Sequence, residues 1–356
     1  MSEPERETET DNALTERERQ VLAAVVRIYV DTAEPAGSRT VSKDFPLGVS
    51  AATVRNTMSD LEEKGYLFHP HPSAGRVPTD LAYRFFVNRV IQPVLPSDAE
   101  RAALARELAE AGTSAVERLV RRATRALSVL SLELGLAMAP ALRSAVLDKI
   151  ELIQISSEKA LMVATIRQGL VRTVYVDLPG EVPSDTLVTL MVILNERLGG
   201  LTLEEIRSTL PDRLRDSGSE GPADELLNIF IQSGSELFDW HPGESAEVHI
   251  GKTSILAAQP EFTTGERLKG LIELTEQRDF LAGVLGRREH HGGLKITIGT
   301  ENDSEELADF TLVTSEYRAG GLMGVIGVIG PTRMPYEKVI AIVDYTSRLV
   351  SEMLRP

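Results

Sequence analysis

The sequence predicts a multidomain α+β protein. It begins with a small trihelical unit that ends in a hairpin. A mixed helix-and-sheet region follows, with a mostly helical block set inside it. Three observations predict this. Helical periodicity runs through residues 15–64 and then gives way to short strand-like runs around a turn-rich tip. Pro93 and Pro96 mark a boundary before two segments rich in Ala, Leu, Arg and Glu. Three strand-like segments precede the helical block 184–290 and three follow it. One sheet split by an insertion accounts for this better than two unrelated small sheets. A chain of 356 residues with 42% apolar content is long enough for two or three separate cores.

The first helix is announced by Thr15 with Glu18 three residues on, a capping-box pattern. Leu22, Val25, Val26 and Tyr29 then recur at helical spacing. A short second helix is expected near Ser38, after Pro35 and Gly37, and Phe45-Pro46-Leu47-Gly48 breaks it. Ser50 caps a third helix with one apolar stripe of Val54, Met58 and Leu61, and Gly65 closes it. Tyr66-Leu67-Phe68, the turn-rich stretch 69–76 and Val77-Pro78 read as strand, tip and strand. Thr79 caps a further helix containing Tyr83, Phe86 and Val87.

Ser97 with Glu100, and Ser114 with Glu117, start two helices reaching to about residue 134. Strands are expected at 150–156, 160–166 and 170–176. Residues 184–240 are again helical, broken by the polar loop 216–222. A strand at 247–250 and a loop lead to one long helix, 264–285. Strands at 294–298, 311–315 and 322–329 precede a last helix at 336–354. Its stripe is Val339, Ile342, Val343, Leu349, Val350 and Met353. There is no internal repeat.

The net charge of −15 is unevenly spread. Residues 14–90 carry 10 Lys+Arg against 9 Asp+Glu, whereas 1–13 carry one Arg and five acids. The acidity therefore lies outside the N-terminal unit, and affinity for an anionic partner depends on local rather than total charge. Residues 1–13 read as a disordered acidic tail. They lack a basic n-region and an apolar h-region, so no signal peptide is expected. No run of 18 apolar residues exists, so no membrane span is expected. The chain has no cysteine, which excludes disulfides, thiolate metal sites and cysteine nucleophiles. A cytoplasmic protein fits this composition.

Helix, short helix, turn, helix, strand, tip, strand is the order of a winged helix-turn-helix. Its third helix would lie in a major groove. The first two turns carry Ser50, Ala51, Ala52, Thr53, Arg55 and Asn56. Small residues allow close approach to the bases. Arg suits guanine O6/N7 and Asn suits adenine N6/N7, both in bidentate fashion. The Ser50 hydroxyl and the helix N-terminal amides suit a phosphate. On the second helix, Ser38, Arg39, Thr40 and Lys43 are candidate DNA contacts, with Lys43 assigned to phosphate. The wing tip offers Ser73, Gly75 and Arg76, with Arg76 placed for the backbone or the minor groove. The same order also serves pure protein-interaction modules, and order alone leaves both open.

The residues themselves add a resemblance. G-S-R-T-V at 37–41, S-A-A-T-V-R-N-T-M-S-D-L-E at 50–62 and P-H-P-S-A-G-R-V-P-T at 70–79 closely resemble the HrcA family of heat-inducible transcription repressors. I-G-K-T-S-I-L-A-A-Q-P-E-F at 250–262 and the segment 321–354 resemble the same family, so that only 1–13 lies outside. The resemblance implies a winged-helix DNA-binding domain at 14–92 and linker helices at 93–134. It further implies a GAF-like α/β domain in two segments, 135–182 and 291–356, interrupted by an inserted dimerisation domain at 183–290. It also implies a homodimer on the inverted-repeat operator CIRCE upstream of chaperone operons, with activity supported by a GroEL-type chaperonin. Two departures stand out: Gly251-Lys252-Thr253 where the family has Gly-Gly-Thr, and the acidic extension.

Other chemistry finds little support. Gly251-Lys252-Thr253 resembles the end of a phosphate-binding loop, but the position of the first glycine is Ala246. The glycine-rich run 320–330 lacks the strand-loop-helix context of a dinucleotide fingerprint and reads as a core strand. The histidines at 69, 71, 241, 249, 290 and 291 have no metal-ligand spacing. No Gly-x-Ser-x-Gly elbow exists. The run Arg118, Arg121, Arg122 and Arg125 reads as a solvated face. No cofactor, metal or catalytic residue is expected. The competing functional class is a metabolite-sensing winged-helix regulator, with the ligand in the GAF-like domain.

Overall fold

The computed structural model describes residues 14–354, apart from 72–73, 93, 110–115, 141–144, 168–170, 216–221, 239–247, 289–291 and 320–321. The acidic tail, Ser73 and Ser114 therefore lie outside the described residues.

Local signals set the N-terminal elements. In α1 (Glu16–Thr32), the Thr15 hydroxyl accepts from the Glu18 amide at 3.3 Å, and the Glu18 carboxylate accepts from the Thr15 amide at 2.7 Å. α2 (Ser38–Asp44) leads through Gly48 (φ +66°) to α3 (Ala51–Glu63). The Ser50 hydroxyl caps α3 by accepting from the Thr53 amide at 3.2 Å. Gly65, at φ +80°, ends it as expected. β1 (Leu67–Phe68) and β2 (Val77–Pro78) pair antiparallel, and Ala36 bridges Arg76 beside them. α4 (Asp80–Phe85) runs on as a π-helical turn through Phe86–Val90. Thr79 precedes α4 but does not cap it with its side chain. Its hydroxyl instead donates to the carbonyls of Gly65 (2.8 Å) and Tyr66 (3.0 Å), tying α4 to the end of α3.

The second region is built on a five-stranded antiparallel sheet. α5 (Asp98–Ala109), α6 (Val116–Ser131) and β3 (Leu134–Met138) open it. After the insertion come β7 (Val248–Ile250), α10 (Thr253–Ala257), a 3-10 turn (Pro260–Phe262), α11 (Gly265–Glu276) and α12 (Arg278–Gly286). β8 (Leu294–Ile298), β9 (Phe310–Ala319), β10 (Leu322–Pro331) and α13 (Tyr336–Met353) complete it. The strand order is β7-β3-β10-β9-β8. Side chains alternate across the sheet. Ile326 and Val328 of β10 face α6 and α13, while Val325 and Ile329 face α11 and α12. The glycine-rich run is this central strand, paired on both sides. A Cβ on Gly251 would lie 2.0 Å from the Ser128 hydroxyl oxygen, so Gly251 lets α6 cross close to the sheet. That Ser128 oxygen accepts from the amides of Gly135 (2.8 Å) and Lys252 (3.3 Å).

The insertion holds β4 (Leu147–Gln154), β5 (Lys159–Ile166) and β6 (Val171–Asp177), followed by α7 (Ser184–Leu198), α8 (Leu203–Arg215) and α9 (Pro222–Leu237). These strands were expected to share one split sheet with those at the C-terminus. They form a separate three-stranded sheet, β4-β5-β6. Short hairpins pair them with each other, and their inward side chains, among them Ile150, Met162 and Ile166, close a core with Leu190, Leu194 and Leu210. Asn195 of α7 bonds both the amide and the carbonyl of Ile150 at 2.8 Å, anchoring helix to strand. The insertion thus starts near residue 145 rather than 183, and the five-stranded sheet is the one that it splits.

Three smaller expectations also change. β3 was not expected as a strand; all five of its residues are buried, which erases the alternation that marks one. The helix expected at 264–285 breaks at Gln277 (φ −80°, ψ 66°). The segment expected as linker helices is not a linker. α6 buries Leu119, Val120, Ala123 and Leu127 in the same core as α13 and the sheet.

Candidate nucleic-acid interface

α3 buries Val54, Thr57, Met58 and Leu61 and exposes Ala52, Arg55, Asn56, Asp60 and Glu63. Those exposed positions form one stripe at helical spacing. Its first half is small, cationic and amide-bearing; its second half is acidic. Only the N-terminal half can approach phosphates without repulsion. The helix dipole adds to this, since it places positive potential at the capped end.

α2 stands beside that end, with the Ser42 hydroxyl donating to the Val49 carbonyl at 3.2 Å across the turn. Arg39, Thr40 and Lys43 are exposed, and Ser38 is half-buried. Among the described residues Arg39, Lys43 and Arg55 have no ion-pair partner, as is also true of Arg17 and Arg19 at the start of α1. Elsewhere in this unit cations are engaged. Lys64 meets Glu18 at 2.7 Å, Arg76 meets Glu62 at 2.7 Å, and Arg84 meets Glu301. Burial pushes the Glu18 carboxyl up, but hydrogen bonds from Lys64 and Thr15 outweigh it and hold the group below its ordinary range. The structure thus leaves Arg39, Thr40, Lys43, Ser50, Ala52, Arg55 and Asn56 exposed on α2 and the first half of α3, with Thr53 half-buried among them. Ser50 is committed to the cap, its oxygen lying 3.0 Å from the Thr53 hydroxyl as well.

The wing residues differ from expectation. The Arg76 side chain is only 12% exposed and turns back onto Glu62 at the end of α3. His69 Nδ1 also lies 3.1 Å from Glu62. Arg76 therefore braces the wing against the helix rather than reaching from its tip. Gly75 has a packing role too. A Cβ there would lie 2.4 Å from the Ala36 carbonyl oxygen, so the hairpin base presses directly on the strand-like segment before α2. Sequence reading missed Glu62. The pair spans 14 residues, and no periodic signal marks such a contact.

A second set of missed residues fixes how the unit sits on the sheet region. Asp80 accepts from the amide (3.0 Å) and hydroxyl (3.1 Å) of Thr300. Arg84 donates to both Glu301 oxygens and to the Ile296 carbonyl. Arg333 pairs with Glu261 and donates to the Val30 carbonyl at 2.6 Å. The Tyr83 and Tyr336 rings lie 5.8 Å apart between these bonds. These bonds tie the helix pair to the sheet region. Among the described residues no group of acids and histidines suits a metal ion, and no helix is long and apolar enough to cross a membrane.

Residues 117–340 match the family described as HrcA protein C terminal domain. A Chlorobaculum tepidum protein named heat-inducible transcription repressor HrcA is 37% identical over 357 residues, covering 96% of this chain and 98% of its own. Proteins of the same name from Chlorobium phaeovibrioides (34%, covering 93% and 95%) and Geobacter sulfurreducens (36%, covering 96% and 98%) are similar along their whole length. A solved structure titled only as a hypothetical protein at 2.2 Å resolution has a TM-score of 0.60 and 23% identity, over 96% of this chain and 98% of that one. That likeness concerns the fold alone. With matches of this identity spread over almost its full length, the chain belongs to the HrcA family.

Proposed function

We propose that this protein represses transcription of heat-shock genes by binding an inverted-repeat operator of the CIRCE type. The N-terminal unit acts as a winged helix. α3 enters the major groove by its N-terminal half. Arg55 and Asn56 read base edges there, while Arg39 and Lys43 hold phosphates on either side. The observation that carries this reading is the set of three unpartnered cations beside an exposed asparagine at the capped end of α3. The relatives' shared name, heat-inducible transcription repressor, supports it. That class of protein is non-enzymatic, and we assign no catalytic role.

An inverted repeat requires two helices related by a two-fold axis. We assign the pairing of two copies to the insertion, in the re-drawn span 145–237. Its outer sheet face carries a cross-strand row of Ile153, Leu161 and Tyr175, in which Ile153 is 53% and Tyr175 68% exposed. A self-complementary apolar row of this kind suits an isologous contact. A GroEL-type chaperonin as helper of folding and activity, and action in the cytoplasm at the nucleoid, complete the proposal on the strength of the family alone.

Footprinting on the promoters next to this protein's own gene tests the reading. Protection of two symmetric half-sites is expected, and protection without symmetry or selectivity would overturn it. Tyr175→Asp should yield a folded monomer by light scattering, with a weakened operator footprint. An unchanged dimer would move the pairing surface elsewhere.

A further inference from the structure

The seam between the N-terminal unit and the sheet region opens into a cleft of about 1030 Å³. Its volume and its place between two units are those of small-ligand sites. Tyr29, Phe68 and Tyr83 line it from the N-terminal unit, and Glu266, Glu306 and Asp309 line it from the sheet region.

Three features of the cleft point to one kind of occupant. The first is an orphaned polar group. Tyr83 is 2% exposed, and its hydroxyl has no hydrogen-bond partner among the described residues. A buried hydroxyl without a partner is costly, and sites that carry one are commonly completed by a bound molecule or water. Tyr29, Glu261 and Arg333 stand in the same cleft wall. The second is charge. Arg333 is neutralised by Glu261, and Glu273 by Lys269 at 3.4 Å. Among the described residues Glu266, Glu306 and Asp309 have no ion-pair partner, nor does Asp80, which bonds Thr300, and against these acids stands Arg267. The third is apolar surface. Phe68 projects from β1 with 44% of its surface exposed, facing the same cleft as Tyr29.

We propose that this cleft binds an aliphatic di- or polyamine. One ammonium is held by Glu266, Glu306 and Asp309. The methylene stem lies along Phe68 and Tyr29, where a cation also gains from the ring faces. A second amine donates to the Tyr83 hydroxyl oxygen. Because the ligand touches both units, it selects the docked arrangement over any in which they part, and so holds α3 in one orientation relative to the sheet.

Thermal unfolding of the full chain without DNA, titrated with spermidine, tests the proposal, since a ligand that binds only the folded form raises the melting temperature by mass action. A saturating rise is expected, beyond that produced by NaCl of equal ionic strength. The double variant Glu266→Gln/Glu306→Gln should bind spermidine about tenfold or more weakly, as expected for lost charge-assisted bonds. Tyr83→Phe keeps the ring packing and should weaken binding about fivefold, the effect of one hydrogen bond. Glu204→Gln, on the distant α8, should change nothing. A rise no larger than that with NaCl, wild-type affinity in the cleft variants, or an equal loss in Glu204→Gln would each overturn the proposal. Because DNA is absent from these titrations, their failure is separate from any failure of the operator reading.

Discussion

Two surfaces of the N-terminal unit use the same residue types to opposite ends. On the surface formed by α2 and the first half of α3, Arg39, Lys43 and Arg55 stand exposed without partners. On the surface that meets the sheet region, Arg84 is paired with Glu301 and Arg27 lies 3.8 Å from Glu337. The unit is nearly neutral by composition, so composition does not distinguish the two. Pairing does. The cations at the seam are neutralised by acids of the sheet region, whereas those beside the capped end of α3 keep positive charge where a phosphate backbone can reach it. A cation already neutralised within the protein has little left for DNA, which is why Arg76 leaves the reading set even though it sits in the wing.

The sharpest way to break this comparison is at the seam. Arg333→Ala removes the bond to Val30 and strands Glu261, whose side chain is 17% exposed. A loss of about 3 kcal/mol in urea unfolding is expected, at the lower end for breaking a buried pair because both groups keep some water. A loss typical of surface pairs would mean that the seam is not a fixed joint. Arg55→Ala should do the reverse. Operator binding relative to scrambled DNA falls by about 2 kcal/mol, the discrimination of one bidentate base contact, while the unfolding midpoint stays unchanged. A gel-shift titration showing intact selectivity would remove Arg55 from the reading role.

Arg39→Ala and Lys43→Ala sharpen the comparison further. Each should reduce the slope of log affinity against log salt by about 1, equally on operator and scrambled DNA, because phosphate contacts carry no sequence information. The smallest effect concerns pH. The Glu18 carboxyl is held below its ordinary value in the folded chain. Its contribution is therefore present above the unfolded pKa of about 4.5 and fades as pH falls through the folded one. Acid unfolding of Glu18→Gln should lack this component, worth at most about 1 kcal/mol for a half-open pair.

The legible parts of the molecule are those whose causes lie within a few residues. Thr15 with Glu18, Ser50 with Thr53, and Gly65 after α3 each act across one helical turn, so helix ends and the exposed stripe of Arg55 and Asn56 were readable in the order of residues alone. Buried strands were harder. β4, β5 and β6 showed as strands, but their partners did not, because a half-buried strand presents the same alternation whichever neighbour it takes. β3 showed nothing, since a strand covered on both faces has no period to detect.

By itself, then, the order of amino acids determined the helix-turn-helix succession, the cap that leaves α3 open at one end, and the acidic bias of everything downstream. Only the tertiary structure decided that Arg76 turns inward to Glu62, that the insertion builds its own sheet, and that Arg333 reaches the Val30 carbonyl 303 residues away. The physical reason is range. Caps and periodicity are set by dihedral angles and spacing along one element, whereas ion pairing and strand partnership depend on which surfaces meet once loops have closed.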